Sequence, residues 1–255
     1  MKKWSIKYHP ELSDTIKKHD ILNQLTDYLK TRFKLTALLG TELEFYLTSE
    51  KFEITEILPE LEQMVNHKIK AEKGQNQFEI DLPPSGNADN YASEITRLRE
   101  TVQISAEKLG AFADFRSKPY LDDFGSSMHI HLSFMEDSRA EKYAEILCHF
   151  MPLTLEFFLP LEEDFARLDA KYMAPTHISY GGNNRTTAIR IPDSLPRRIE
   201  HRLAGANADP YLVIYAILTS IIKGLDEPDS ITPLTKTYGN AYDPEYGLKP
   251  IKEKY

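Results

Sequence analysis

Apolar positions recur along this chain at two spacings, and the segments that carry them follow one another without a regular strand–helix–strand beat. Residues 13–33 place Ile16, Leu22, Leu25, Leu29 and Phe33 close to a 3.6-residue period, which predicts an amphipathic helix with Ser13 as its cap. An extended segment over 35–48 follows, then a second helical pattern over 52–65 that Pro59 breaks or restarts. Residues 68–82 alternate and run into Pro83, Pro84, Ser85 and Gly86, read as a stop and a loop. A helix over 91–109 precedes two extended segments, 111–117 and 126–134, with Pro119 and Gly125 between them. Residues 140–165 are helical in pattern, broken at Pro152 and Pro160, and 176–203 hold several short alternating stretches. Asp209 caps a strongly apolar helix over 210–225, with Pro210 in its first turn. The rest, 226–255, is rich in Pro, Gly, Tyr and Lys and reads as an extended arm. No Gly-rich phosphate loop follows the first strand, so the order predicts a single α+β domain with a curved, largely antiparallel sheet flanked by helices, not a doubly wound nucleotide fold.

Residues two apart in a strand share a face, and four segments read this way give the same result. Glu42 and Glu44 oppose Leu43, Phe45 and Leu47; Gln75, Gln77 and Glu79 oppose Phe78 and Ile80. His129, His131 and Ser133 oppose an apolar set, and Arg198, Glu200 and Arg202 oppose Ile199 and Leu203. A sheet that gathered these polar faces would concentrate Glu42, Glu44, Glu79 and Glu200, whose carboxylates would raise one another's pKa unless cations neutralised them. Oxygen ligands with an occasional imidazole suit Mg²⁺ or Mn²⁺. A single such pair is more often a solvated sheet face; four in one chain weaken that alternative.

Composition narrows the partners. The chain has 255 residues, enough for one large core, and a net charge of −8 with no Lys/Arg block able to track a nucleic-acid backbone. No apolar run reaches bilayer length, the first residues lack the apolar core of a secretory signal, and the one cysteine, Cys148, reads as a buried inert thiol, so a cytoplasmic protein is expected. Arg167, Arg185, Arg190, Arg197, Arg198 and Arg202 gather in the C-terminal half, which points to a small anion such as a phosphate, although a surface salt-bridge array would explain them equally well.

Six blocks, in order, resemble the glutamine synthetase family: Gly40-Thr-Glu-Leu-Glu-Phe-Tyr, Gly74-Gln-Asn-Gln-Phe-Glu-Ile, Gly125-Ser-Ser-Met-His-Ile-His-Leu-Ser, Ala174-Pro-Thr-His-Ile-Ser-Tyr-Gly-Gly-Asn-Asn-Arg, Ile189-Arg-Ile-Pro, and Arg197-Arg-Ile-Glu-His-Arg followed by Asn207-Ala-Asp-Pro-Tyr-Leu. The resemblance implies the catalytic-domain fold shared with guanidino kinases, and ATP with Mg²⁺ or Mn²⁺. It implies Glu44, Glu79 and Glu72 as ligands of one metal, and Glu42, His129 and Glu200 as ligands of the metal bridging the ATP phosphates. His131, Ser133, Arg190 and Arg198 fall at nucleotide or phosphate positions, and Arg185 at the arginine facing the transferring phosphoryl group. Gly125, Arg167 and Arg202 fall at positions that bind the acid substrate.

The resemblance implies amide formation through an acyl phosphate, with small-molecule substrates, no nucleic acid and no membrane. Three departures qualify it. Met173 stands where the family carries a flap glutamate that takes a proton from the amine, and a thioether cannot act as a base. Phe124 replaces an asparagine, and Ser127 a glycine, beside the substrate. Residues 1–35 read as a helical segment in place of the family's small β-rich domain, so a homo-oligomer remains possible but the family's double ring is not expected. The expectation is a ligase using glutamate and an amine other than ammonia; the alternatives are a Mg-ATP-binding regulatory homologue and a phosphotransferase.

Overall fold

A computed structural model describes residues 6–8 and 11–251. In chain order its elements are α1 (Leu12–Lys18), α2 (Ile21–Tyr28), β1 (Ala37–Thr48), α3 (Ile54–Val65), β2 (Lys70–Ala71) and β3 (Gln77–Ser85). Then come α4 (Ala88–Lys108), β4 (Phe112–Asp114), β5 (Met128–Phe134), α5 (Ala140–Phe158), β6 (Tyr180–Gly181), β7 (Ile189–Arg190), β8 (Ile199–His201) and α6 (Pro210–Asp226). The strands form one open sheet in the order β2-β3-β1-β5-β8-β7-β6, with β4 pairing β1 beyond the end of β5. Every pairing is antiparallel except β6 with β7.

The sheet's apolar face carries Leu43, Phe45, Ile80, Ile130 and Ile199, all buried. α6 is apolar on nearly every side, as a helix enclosed by protein must be, and it touches α1, α2, α4 and α5. Asp209 caps it by accepting from Tyr211 N at 2.9 Å, as the sequence predicts. The same carboxylate accepts from the Ser13 hydroxyl at 2.6 Å and lies 3.4 Å from Lys17 Nζ, which ties α1 to the start of α6. Ser13 is therefore no cap; Glu11 holds that position.

Other differences from the sequence reading have tertiary causes. The helix expected over 13–33 breaks at Asp20, whose backbone is left-handed at φ 51°, and continues through α2 into a π-helical turn over Leu29–Phe33. The bend lets Leu12 and Ile16 from one piece, and Leu22 and Leu25 from the other, all reach the core. Pro59 and Pro152 lie inside unbroken helices, because packing on both sides of each proline outweighs one lost backbone bond. Pro83 and Pro84 do not end β3, which stays paired to β1 as far as Ser85 across a register shift between Leu39 and Thr41. Gln75 sits in the turn before β3 and shares no strand face with Gln77. Cys148 is buried, and burial pushes its thiol up, which suits an inert side chain.

The expected C-terminal arm is ordered over its described residues; 252–255, like 1–5, 9 and 10 at the other end, lie outside them. It folds back over the loops after α5: Thr237 N bonds Tyr180 O, Ile178 N bonds Lys249 O, and Tyr242 Oη donates to Ala174 O at 2.9 Å. Among the described residues no helix is long and apolar enough to cross a membrane.

Candidate functional site

Register places the polar residues in rows across the sheet. Glu42 lies opposite Asp81 on one side and His129 on the other; Glu44 lies opposite Glu79. A second row runs Gly40, His131, Glu200, Arg190, one residue from each of β1, β5, β8 and β7. Antiparallel pairing sets such directly opposed side chains within about 5 Å at Cβ, so alternation in four separate segments becomes one continuous surface.

Ligand atoms of Glu42, His129 and Glu200 all lie within 4.8 Å of one another. His129 Nδ1 is 3.1 Å from Glu42 Oε2 and 3.6 Å from Glu200 Oε1, and His131 Nε2 is 3.1 Å from Glu42 Oε1. That last contact lacks hydrogen-bond geometry, so the buried His131 Nε2 has no partner. Burial alone would raise Glu42, but the hydrogen bond with His129 and the two imidazoles beside it hold it well below the usual carboxylate range. Glu200 is lowered too, against its burial, by His129, Arg202 and Arg190. Arg190 Nη1 is 2.6 Å from its Oε2 and Arg202 Nε 3.1 Å from its Oε1, so both oxygens are held by guanidinium groups.

Glu79 behaves oppositely. Burial, the charge of Glu42, a hydrogen bond with Asp81, and the charges of Glu44 and Glu72 push it up to about 9. Burial and Glu44 raise Glu72 as well. Four carboxylates in one cleft thus cannot all ionise unaided at neutral pH. Divalent cations would displace the proton, and the carboxylate and imidazole donors, including the partnerless His131 nitrogen, fit Mg²⁺ or Mn²⁺.

Two clefts meet at Glu42. The main one is lined by Glu42, Glu44, Glu72, Glu79 and His129, and also by Gly125, Arg167, Arg185 and Arg202. The second has His131, Ser133 and Arg198 with the loop Ser194, Leu195 and Pro196; Arg198 Nε donates to His131 Nδ1 at 3.1 Å. Glu200, whose ligand atom lies within 4.8 Å of those of Glu42 and His129, and Arg190, paired to it, adjoin the junction. All the sequence-predicted residues therefore gather on one face of the sheet, in or beside these clefts. Within it, the arginines differ. Arg167 spends Nη1 on Leu203 O at 2.7 Å and Nη2 on Ser127 Oγ; its Nε is buried without a partner, and burial brings it down to about 10. Arg202 also donates to the backbone oxygen of Arg185. Gly125 is needed for space: a Cβ there would fall 2.8 Å from Ser117 O and 2.9 Å from Arg167 Cβ.

Two lining residues escape sequence reasoning, Lys73 and Tyr172. Lys73 Nζ lies 3.7 Å from Met173 Sδ, and Met173 is held left-handed at φ 56°. Tyr172 packs edge-on to Phe124, centroids 5.4 Å apart, and Lys118 Nζ sits 3.8 Å from its ring centroid. Lys73 adjoins the Gly74 block, but nothing local marks its side chain as facing a residue 100 positions away.

The sequence profile described as glutamine synthetase, catalytic domain, matches residues 51–252. Among curated relatives, gamma-glutamylputrescine synthetase PuuA of Escherichia coli is 30% identical over 237 residues, covering 84% of this chain and 50% of that protein. The glutamine synthetase of Pyrococcus furiosus is 29% identical over 208 residues, covering 75% and 46%. The chain thus spans about half the length of these curated relatives. A solved GmaS/ADP complex shares the fold, with a TM-score of 0.76 at 21% identity over 90% of this chain and 64% of that one.

Proposed function

We propose that this chain, which belongs to the glutamine synthetase family, is an ATP-dependent carboxylate–amine ligase that takes glutamate as the acid and an amine other than ammonia. One observation carries the reading: acidic and imidazole side chains from separate strands, with guanidinium groups from the segments beside them, line two clefts that share Glu42. Glu42, His129 and Glu200 would hold one Mg²⁺ or Mn²⁺ ion, and Glu44, Glu79 and Glu72 another. Bound there, the ions would offset the charge of the triphosphate as an anionic nucleophile approaches it.

The chain's own groups supply the rest. Arg198 and Arg190, beside His131 and Ser133, offer planar donors suited to nucleotide phosphates. Arg167 and Arg202 line the same cleft as Gly125 and would draw the acid there by their charge, and Arg185 would face the phosphoryl group in transfer. The acid's carboxylate attacks the γ-phosphorus and ADP leaves, giving an acyl phosphate. The amine then forms the C–N bond, phosphate departs with the C–O bonding pair, and the proton the amine gives up is carried off by that phosphate. Phe124, Tyr172 and Met173 wall the cleft and keep water from the acyl phosphate. A single catalytic domain in the cytoplasm accords with this reading.

Met173 favours a second reading. Its thioether cannot take the amine's proton, whereas nucleotide binding or plain phosphoryl transfer needs no such group, so a regulatory Mg-ATP-binding homologue or a phosphotransferase would tolerate it. The test is phosphate release from Mg-ATP and glutamate across an amine panel that includes hydroxylamine, run beside Glu44→Gln. Turnover dependent on both substrates, reduced roughly 10²-fold or more by the substitution, is expected of the ligase. Nucleotide binding without turnover favours the regulatory homologue, and phosphoryl transfer without amide favours the phosphotransferase.

A further inference from the structure

The main cleft holds carboxylates and arginines together, with a further set of cations at its apolar wall. Glu42, Glu44, Glu72 and Glu79 feel one another and form one group at its floor. The wall contributes Phe124, Tyr172, Met173 and Pro175; Lys73 Nζ lies against Met173 Sδ at 3.7 Å, and Lys118 Nζ lies 3.8 Å from the Tyr172 ring centroid. No carboxylate of the described residues forms an ion pair with the Lys73 ammonium. Of the nearby acids, Asp123 accepts from Gln75 N at 2.9 Å and Phe124 N at 2.7 Å, and Asp169 Oδ1 accepts from Lys171 N at 2.8 Å, while Glu72 lines the cleft with the other carboxylates.

Lys73 also stands on a pinned turn. Gly74 N donates to Gln77 Oε1 at 2.9 Å, Gln75 N is tied to Asp123, and a Cβ at Gly74 would collide with Tyr46 Oη at 2.1 Å. The backbone that carries Lys73 is thus fixed, and its exposed side chain reaches from there to the cleft wall at Met173.

From this geometry we infer that Lys73 is a specificity-determining residue, and that it selects a second substrate whose amine is accompanied by an anionic group, such as an amino acid, over a cationic diamine. The inference rests on the ligase reading for the reaction but concerns the binding of the amine. A nucleophile must bring an uncharged nitrogen to the floor. A diamine would then set its second ammonium against Lys73, while a carboxylate on the same molecule would pair with it.

Calorimetry on the intact chain with Mg²⁺, a non-hydrolysable ATP analogue and saturating glutamate tests this, with glycine and 1,4-diaminobutane as probes. Wild type is expected to bind glycine at least roughly tenfold more tightly than the diamine, Lys73→Glu to invert the order, and Lys73→Gln to bring the two within about threefold. Equal or tighter diamine binding by wild type, or an order unchanged in Lys73→Glu, overturns the inference. Hydroxylamine turnover reads the ligase chemistry separately. If it is absent while the binding order inverts, the ligase reading fails and the selection stands; turnover without inversion removes the selection alone.

Discussion

The floor and the wall of the cleft are built from different materials. Glu42, Glu79, His129 and Glu200 project from β1, β3, β5 and β8, whose backbones are hydrogen-bonded in register to their neighbours. Phe124 and Met173 project from loops and Tyr172 from the short 3-10 turn Ala170–Tyr172, and Met173 holds a left-handed backbone. Strands fix a side chain's direction to within the pleat, which suits charges that must meet within a few ångströms; loops let one residue change without moving its neighbours. Floor substitutions should therefore cost stability as well as chemistry, and wall substitutions chemistry alone.

Glu200→Gln would sharpen this contrast most. It leaves the guanidinium groups of Arg190 and Arg202 largely buried without their counter-charge, and denaturant unfolding should show a loss of about 3–5 kcal/mol. A loss below about 1 kcal/mol would mean that the floor is no more integral than the wall.

Of similar size is a pH effect behind the floor. His201 packs on Phe158 on the core side, ring centroids 4.2 Å apart, and burial and the nearby His129 bring it down from 6.5 to about 3. The unfolded chain then binds the extra proton. Its contribution to stability is complete above pH 6.5 and is lost as pH falls toward 3, by on the order of 5 kcal/mol in all. Unfolding measured at several pH values should show that slope, and His201→Leu should flatten it.

The floor's own proton gives a smaller effect. Because Glu79 is raised to about 9, metal binding near neutral pH must expel a proton from it, and apparent Mn²⁺ affinity should climb about tenfold per pH unit between pH 6 and 8. Glu79→Gln should bind more weakly and without the slope.

Wall changes come last. Met173→Glu should leave stability within about 0.5 kcal/mol while raising amide formation from a neutral amine about tenfold, seen in kcat. Tyr172→Phe should be nearly silent in unfolding, since its buried hydroxyl has no hydrogen-bond partner to lose.

The same division governs what the sequence could reveal. A two-residue period is local, so Glu42 with Glu44, and His129 with His131, can be paired from the chain alone, as can α6 from its cap and its apolar run. The wall forms where the turn before β3 meets a loop a hundred residues later, and no periodicity records that meeting. Lys73 and Tyr172 were invisible for that reason. Backbone features decided by packing were equally hidden. Asp20 bends a helix without glycine or proline, while Pro59 and Pro152 fail to break theirs, because burial of Leu22, Leu61 and Met151 outweighs local preference.

The proposed chemistry requires divalent cations to gather at the floor. Titrating the intact chain with Mn²⁺ and counting bound ions by electron paramagnetic resonance, beside Glu42→Gln with its fold verified by circular dichroism, tests that dependence directly. Two ions per chain in wild type, with one lost or strongly weakened in the variant, is the predicted result. Failure of wild type to bind Mn²⁺, or binding that Glu42→Gln leaves untouched, would contradict it.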